Sequence, residues 1–179
     1  MRHGVHHRIF ITCVLALTTA GAAAAGKAHQ HGSAQLDIAV EPRRVSIYFE
    51  TPLDNLLGFE RDPRTDDERQ RADAAVARLR AAGQVFRIDA AAGCTLAGVE
   101  LQSAALKLGT AELPAPDGHA DLNGRFDFDC KDGRRASYVE VGLFEAFKGL
   151  RRLEVQVATP KGQMKATLLA PASRVALLR

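Results

Sequence analysis

Two runs of strict alternation, set either side of Glu41-Pro42-Arg43, constrain the fold of this chain more than any other feature. Leu36, Ile38 and Val40 alternate with Gln35, Asp37 and Ala39; Val45, Ile47 and Phe49 alternate with Ser46, Tyr48 and Glu50. Successive side chains of a strand point to opposite faces, so this period of two is what a strand with one buried face requires. Glu41-Pro42-Arg43 supplies the turn, and the segment reads as a β-hairpin.

The remainder supplies elements that could cover such a hairpin. Pro52 ends the second strand, and Leu53, Leu56, Leu57 and Phe59 suggest a short helical turn closed by Gly58. Thr65-Asp66-Asp67-Glu68 has the form of a capping box, with acids where the helix macrodipole favours them. Ala72, Ala75, Val76 and Leu79 follow at helical spacing, predicting an amphipathic helix over 66–82 with Gly83 as its stop. Its run of Arg and Asp is then a solvated face. Short strands are expected at Val85–Ile88, within Cys94–Leu108, at Asn123–Cys130 and around Tyr138–Val141. Leu113–Gly118 reads as a loop and Lys131-Asp132-Gly133 as a turn. Leu143, Phe144 and Phe147 form a short helical piece ended by Gly149. A second hairpin joins Leu153–Val157 to Met164–Leu169 through Pro160-Lys161-Gly162. The fold class is therefore α+β: one antiparallel β-sheet built from hairpins, with one main amphipathic helix packed on it.

The first 25 residues read as a secretory signal peptide. Arg2 and Arg8 give a positive start, Ile9–Ala16 begins an apolar stretch too short to span a bilayer comfortably, and Ala22–Ala25 offer small residues for cleavage. Cys13 lies inside the apolar run, not at its end, which argues against a lipoprotein. With cleavage after Ala25, residues 26–179 form a single domain of ordinary composition, 46% hydrophobic and 25% charged, and no membrane association is expected. Arg2 and Arg8 leave with the leader, so 24 basic residues become 22 against 21 acidic ones, a net charge of +1. That near-neutrality carries no signature of a nucleic-acid partner. Cys94 and Cys130 remain as an even pair in an oxidising compartment, which favours a disulfide. A cysteine metal site would want closer C-x-x-C spacing.

Enzymatic signatures are absent: there is no G-x-S-x-G, no Walker A and no G-x-G-x-x-G after a strand. A catalytic function is not expected. The histidines carry more. His3, His6 and His7 leave with the leader, so His29, His31 and His119 remain of six. His29 and His31 are spaced i and i+2, which in an extended segment puts both imidazoles on one side, able to share an ion. Neutral imidazole suits zinc, copper or nickel. The bland reading of each is a solvated tail or a loop histidine. His119 lies between Asp117 and Asp121, either of which can ligate or accept its second ring N–H. His29 and His31 precede one strand and His119 another, so adjacent sheet ends would assemble three ligands.

These residues together resemble the ZrgA family of periplasmic zinc-binding proteins. The resemblance runs through His29-Gln30-His31-Gly32, Thr51-Pro52-Leu53-Asp54-Asn55-Leu56-Leu57-Gly58-Phe59-Glu60, the following helix, and Gly93-Cys94. It continues through His119-Ala120-Asp121, Phe126–Cys130, Leu143-Phe144 with Phe147, and Gly162-Gln163. Each piece alone is weak; their ordered combination is specific. It implies a periplasmic protein that buffers or delivers zinc for an uptake transporter or its binding protein, with His29, His31 and His119 as ligands. Glu60 and Asp121 are further candidates. Two departures stand out. The family reads Gly-Phe-Glu-His where Arg61 follows Glu60 here, and a guanidinium offers no lone pair to a metal. The His-rich tract that family zinc binders carry before the position of His119 is also missing, so the resemblance implies one modest site and not a high-capacity buffer.

Two other readings follow from the residues. A mature terminus at Lys27-Ala28-His29 would offer copper or nickel a square-planar nitrogen site. The fold would otherwise serve as a protein-interaction module with no physiological metal.

Overall fold

The computed structural model describes residues 30–110 and 120–177. The alternating runs form the expected hairpin: β1 (Ser33–Val40) pairs antiparallel with β2 (Arg44–Pro52), with Leu36 opposite Phe49 and Ile38 opposite Ile47. Leu36, Ile38, Val40, Val45, Ile47 and Phe49 are all buried. After the hairpin come three helices, α1 (Asp54–Leu57), α2 (Asp66–Arg80) and α3 (Ala82–Val85), then the strands β3 (Phe86–Ile88), β4 (Cys94–Gln102), β5 (Asp121–Cys130) and β6 (Tyr138–Val141). The chain ends with helix α4 (Leu143–Ala146) and strands β7 (Arg152–Thr159), β8 (Gly162–Leu169) and β9 (Arg174–Ala176).

A six-stranded sheet in the order β4-β5-β2-β1-β7-β8 dominates this α+β domain. All its pairs are antiparallel save one: β1 runs parallel to β7, with Leu36 opposite Val155. Hairpins alone therefore do not build the sheet. A second sheet, β3-β6-β9, buries Val139, Val141 and Val175 in the same core as the large sheet. The two sheets meet where the Phe86 ring of β3 lies 4.9 Å from that of Phe126 in β5. Helix α2 adds Ala72, Ala75 and Leu79 to this core. Burying a Phe, Leu, Ile or Val side chain is worth about 1.5–3 kcal/mol, so this aliphatic and phenylalanine interior is the main source of stability.

Helix α2 begins as its sequence requires, with the Thr65 side chain accepting from the Glu68 N–H at 3.2 Å. It ends earlier than Gly83. Ala81 breaks the helix, and α3 runs through Gly83 as one further turn. Cys94 and Cys130 face each other across β4 and β5 and are joined by a disulfide. Among the described residues no helix is long and apolar enough to cross a membrane.

Candidate metal site

His31 lies on a turn, not in the extended strand that its spacing from His29 suggested. Ser33 donates its N–H to the Gln30 carbonyl at 3.0 Å, and Gly32 between them has φ +80°. A positive φ at the third turn position is the type II pattern, which glycine adopts without a Cβ penalty. Strand β1 begins only after this turn, at Ser33.

Two segments, 51–55 and 149–152, hold the turn in place. Gly32 donates its N–H to Asn55 Oδ1 at 2.6 Å, while Asn55 Nδ2 donates to the Ser33 carbonyl at 2.8 Å and to Thr51 Oγ1 at 3.0 Å. Arg151 and Arg152 both donate backbone N–H groups to the Gly32 carbonyl, at 2.8 and 2.9 Å. Asn55 is 1% exposed, so its amide is spent on this one task. Gly149 lets its own segment approach: a Cβ there would lie 2.6 Å from the Asn55 carbonyl oxygen.

Helix α1 carries Asp54 and Asn55 and closes at Gly58, whose φ of +80° turns the chain toward Phe59 and Glu60. The His31 imidazole consequently sits between two carboxylates. Its Nδ1 is 3.0 Å from Asp54 Oδ2, and its Nε2 is 3.4 Å from Glu60 Oε1. The ring is 62% exposed, the Glu60 side chain only 11%. An exposed imidazole thus stands beside a nearly buried carboxylate.

The chemistry of that arrangement is asymmetric. A carboxylate only accepts, so Asp54 calls for a proton on Nδ1, which leaves the lone pair of the neutral ring on Nε2. That lone pair faces Glu60, where a second ring proton or a metal ion would satisfy both groups. Zinc takes nitrogen and oxygen at 2.0–2.2 Å in a tetrahedron, which sets two donors on one ion about 3.3–3.5 Å apart. The separation of 3.4 Å between His31 Nε2 and Glu60 Oε1 fits one tetrahedral edge. Asp54 sits at the opposite nitrogen and cannot share that ion through the same ring. Among the described residues no group of three or more His, Cys, Asp and Glu side chains forms a metal-holding set.

Of the residues singled out in the sequence, His31 and Glu60 are brought together. His29 and His119 lie outside the described residues, as do the segment 1–25, the Lys27-Ala28-His29 terminus and the loop 113–118. Asp121 opens β5 opposite Pro52, and the preceding Ala120 accepts the Leu53 N–H at 2.8 Å. Strands β1 and β5 flank β2 and both run antiparallel to it, so they start at the same end of the sheet, about 10 Å apart. Asp54 and Asn55 carried no role in the sequence reading. The one signal for Asn55 was a polar residue inside the apolar run Leu53, Leu56, Leu57.

Arg61 has its own employment. Its guanidinium makes a two-pronged ion pair with Glu68, at 2.9 and 2.7 Å, and stacks 5.0 Å from the centre of the Phe59 ring. The Arg61 bonds first, then the Arg64 N–H, hold the Glu68 carboxyl down at about 2. Arg61 thereby ties the Glu60 segment to the start of α2.

A family model described as ZrgA family zinc uptake protein matches residues 28–177. A comparison with curated proteins finds no match for the chain.

Proposed function

The chain belongs to the ZrgA family of zinc uptake proteins, and on that footing we propose that it is an exported, periplasmic accessory protein that binds zinc through a small His-based site. It buffers the ion or hands it to an uptake transporter or its binding protein. It is a binding protein, not an enzyme. His31 Nε2 and Glu60 supply two ligands. His29 and His119 complete the set, with Asp121 as the alternative carboxylate.

The observation that carries this reading is the pairing of a solvent-reachable imidazole with a nearly buried carboxylate at the spacing of two zinc donors, 3.4 Å. Two further facts support it. Ala120 follows His119 in the chain and is hydrogen-bonded to Leu53, the residue before Asp54, so the start of β5 adjoins the helical turn that carries Asp54. Gln30 follows His29 and belongs to the same turn as His31.

Titration calorimetry with zinc tests the proposal. One equivalent is expected to bind in the micromolar range or tighter, which corresponds to about 8 kcal/mol or more. His31→Ala and Glu60→Gln are each expected to weaken binding at least tenfold. Undiminished binding by both variants would overturn the assignment.

A further inference from the structure

The two carboxylates beside His31 are not equivalent, and we infer that Asp54 is a positioning residue which presets the histidine for its ion without ligating that ion. The inference rests on His31 being a zinc ligand, as proposed above. Asp54 Oδ2 lies 3.0 Å from Nδ1, an ordinary hydrogen-bond distance, whereas Glu60 Oε1 lies 3.4 Å from Nε2, longer than a good hydrogen bond but right for two donors on one ion. The ring nitrogens diverge, so a carboxylate on one cannot reach a metal on the other. A ligating histidine whose second N–H is held by a carboxylate has its tautomer and ring orientation fixed and its basicity raised.

The covalent setting makes this support rigid. Asp54 and Asn55 are neighbours on α1, and Asn55 grips the backbone on both sides of the Gly32–Ser33 bond. One residue thus holds the backbone beside His31 while its neighbour holds the ring. Exposed rings normally exchange rotamers and tautomers freely. This one is 62% exposed yet held at both levels.

Two measurements on the purified protein test the assignment. In the metal-free protein, nitrogen-15 correlation spectra of the imidazoles, recorded where His31 is neutral, are expected to show the Nδ1–H tautomer. Asp54→Ala should lose that preference. Zinc titration of Asp54→Ala should show affinity about 10–100-fold weaker than wild type. In the His31→Ala background the same substitution should change little, because a positioning residue acts only through the ring it positions. A wild-type Nδ1–H tautomer that persists in Asp54→Ala would overturn the inference, as would unchanged affinity. A further loss from Asp54→Ala in the His31→Ala background would make Asp54 a ligand and overturn it too. Failure of the parent reading looks different: His31→Ala alone would then leave zinc binding intact.

Discussion

The backbone N–H of Gly32 meets the side-chain oxygen of Asn55, 23 residues away, at 2.6 Å. Through this bond the turn bearing His31 is fastened to the helical turn bearing Asp54. Strand β1 and helix α1 are thereby set relative to one another at the point where chemistry is proposed.

Replacing Asn55 by Ala removes three hydrogen bonds and strands the Gly32 N–H and the Ser33 carbonyl in partly buried surroundings. The expected cost is roughly 2–4 kcal/mol, read as a lower urea midpoint. Zinc affinity should fall with it. Asn55→Asp should recover the bond from Gly32 and, with the Thr51 hydroxyl turned to donate, the one to Thr51, but not the bond to the Ser33 carbonyl, because a carboxylate cannot donate.

Gly149 makes the same point from the other side. An alanine there would set its Cβ 2.6 Å from the Asn55 carbonyl oxygen, a backbone atom that cannot rotate away. Gly149→Ala is expected to shift α1 and destabilise the protein by roughly 1–3 kcal/mol. It should weaken zinc binding although no ligand is altered. Thermal denaturation and calorimetric titration of the one variant check both effects.

Much of this architecture was legible in the residues, and what was not has physical reasons. The β1–β2 hairpin, α2 and the β7–β8 hairpin announce themselves by period and by turn or cap chemistry, all local properties. The parallel pairing of β1 with β7 has no local signature, since it joins residues distant in the chain. Strand β9 has three residues, too few for alternation to register. Gly83 reads as a helix stop, yet the break comes two residues earlier and the chain turns once more through it. At the site, His31 and Glu60 could be picked out by residue type and family resemblance. Asp54 and Asn55 could not, because their roles exist only once the turn at Gly32 folds back onto α1.

The Arg61–Glu68 pair sets a pH dependence with a definite sign. Glu68 is held at about 2 in the folded protein, against an ordinary value of 4.5. Its contribution is therefore full above about pH 4.5 and is lost as the pH falls toward 2. Glu68→Gln is expected to lower the thermal midpoint at neutral pH, with the difference from wild type closing over that window. Arg61 and Glu68 are only partly covered from solvent, so the effect should be a modest one and smaller at high salt. Midpoints for the two proteins between pH 7 and pH 2 supply the check.

The disulfide pins β4 to β5 at the register of Cys94 with Cys130, closing a loop of 36 residues' separation. In the loop-entropy description such a link restricts the unfolded chain by about 4 kcal/mol. A Cys94→Ser/Cys130→Ser protein should unfold at a clearly lower urea concentration than the oxidised wild type. Reductant should bring wild type close to the variant and leave the variant unmoved.

The central claim is that His31 and Glu60 hold a zinc ion between them, and a crystal of the zinc-loaded protein measured at the zinc absorption edge tests it directly. The expected result is an anomalous peak about 2.0–2.2 Å from both His31 Nε2 and Glu60 Oε1, with Asp54 still on Nδ1. A zinc peak elsewhere, with no metal density between those two atoms, would contradict it.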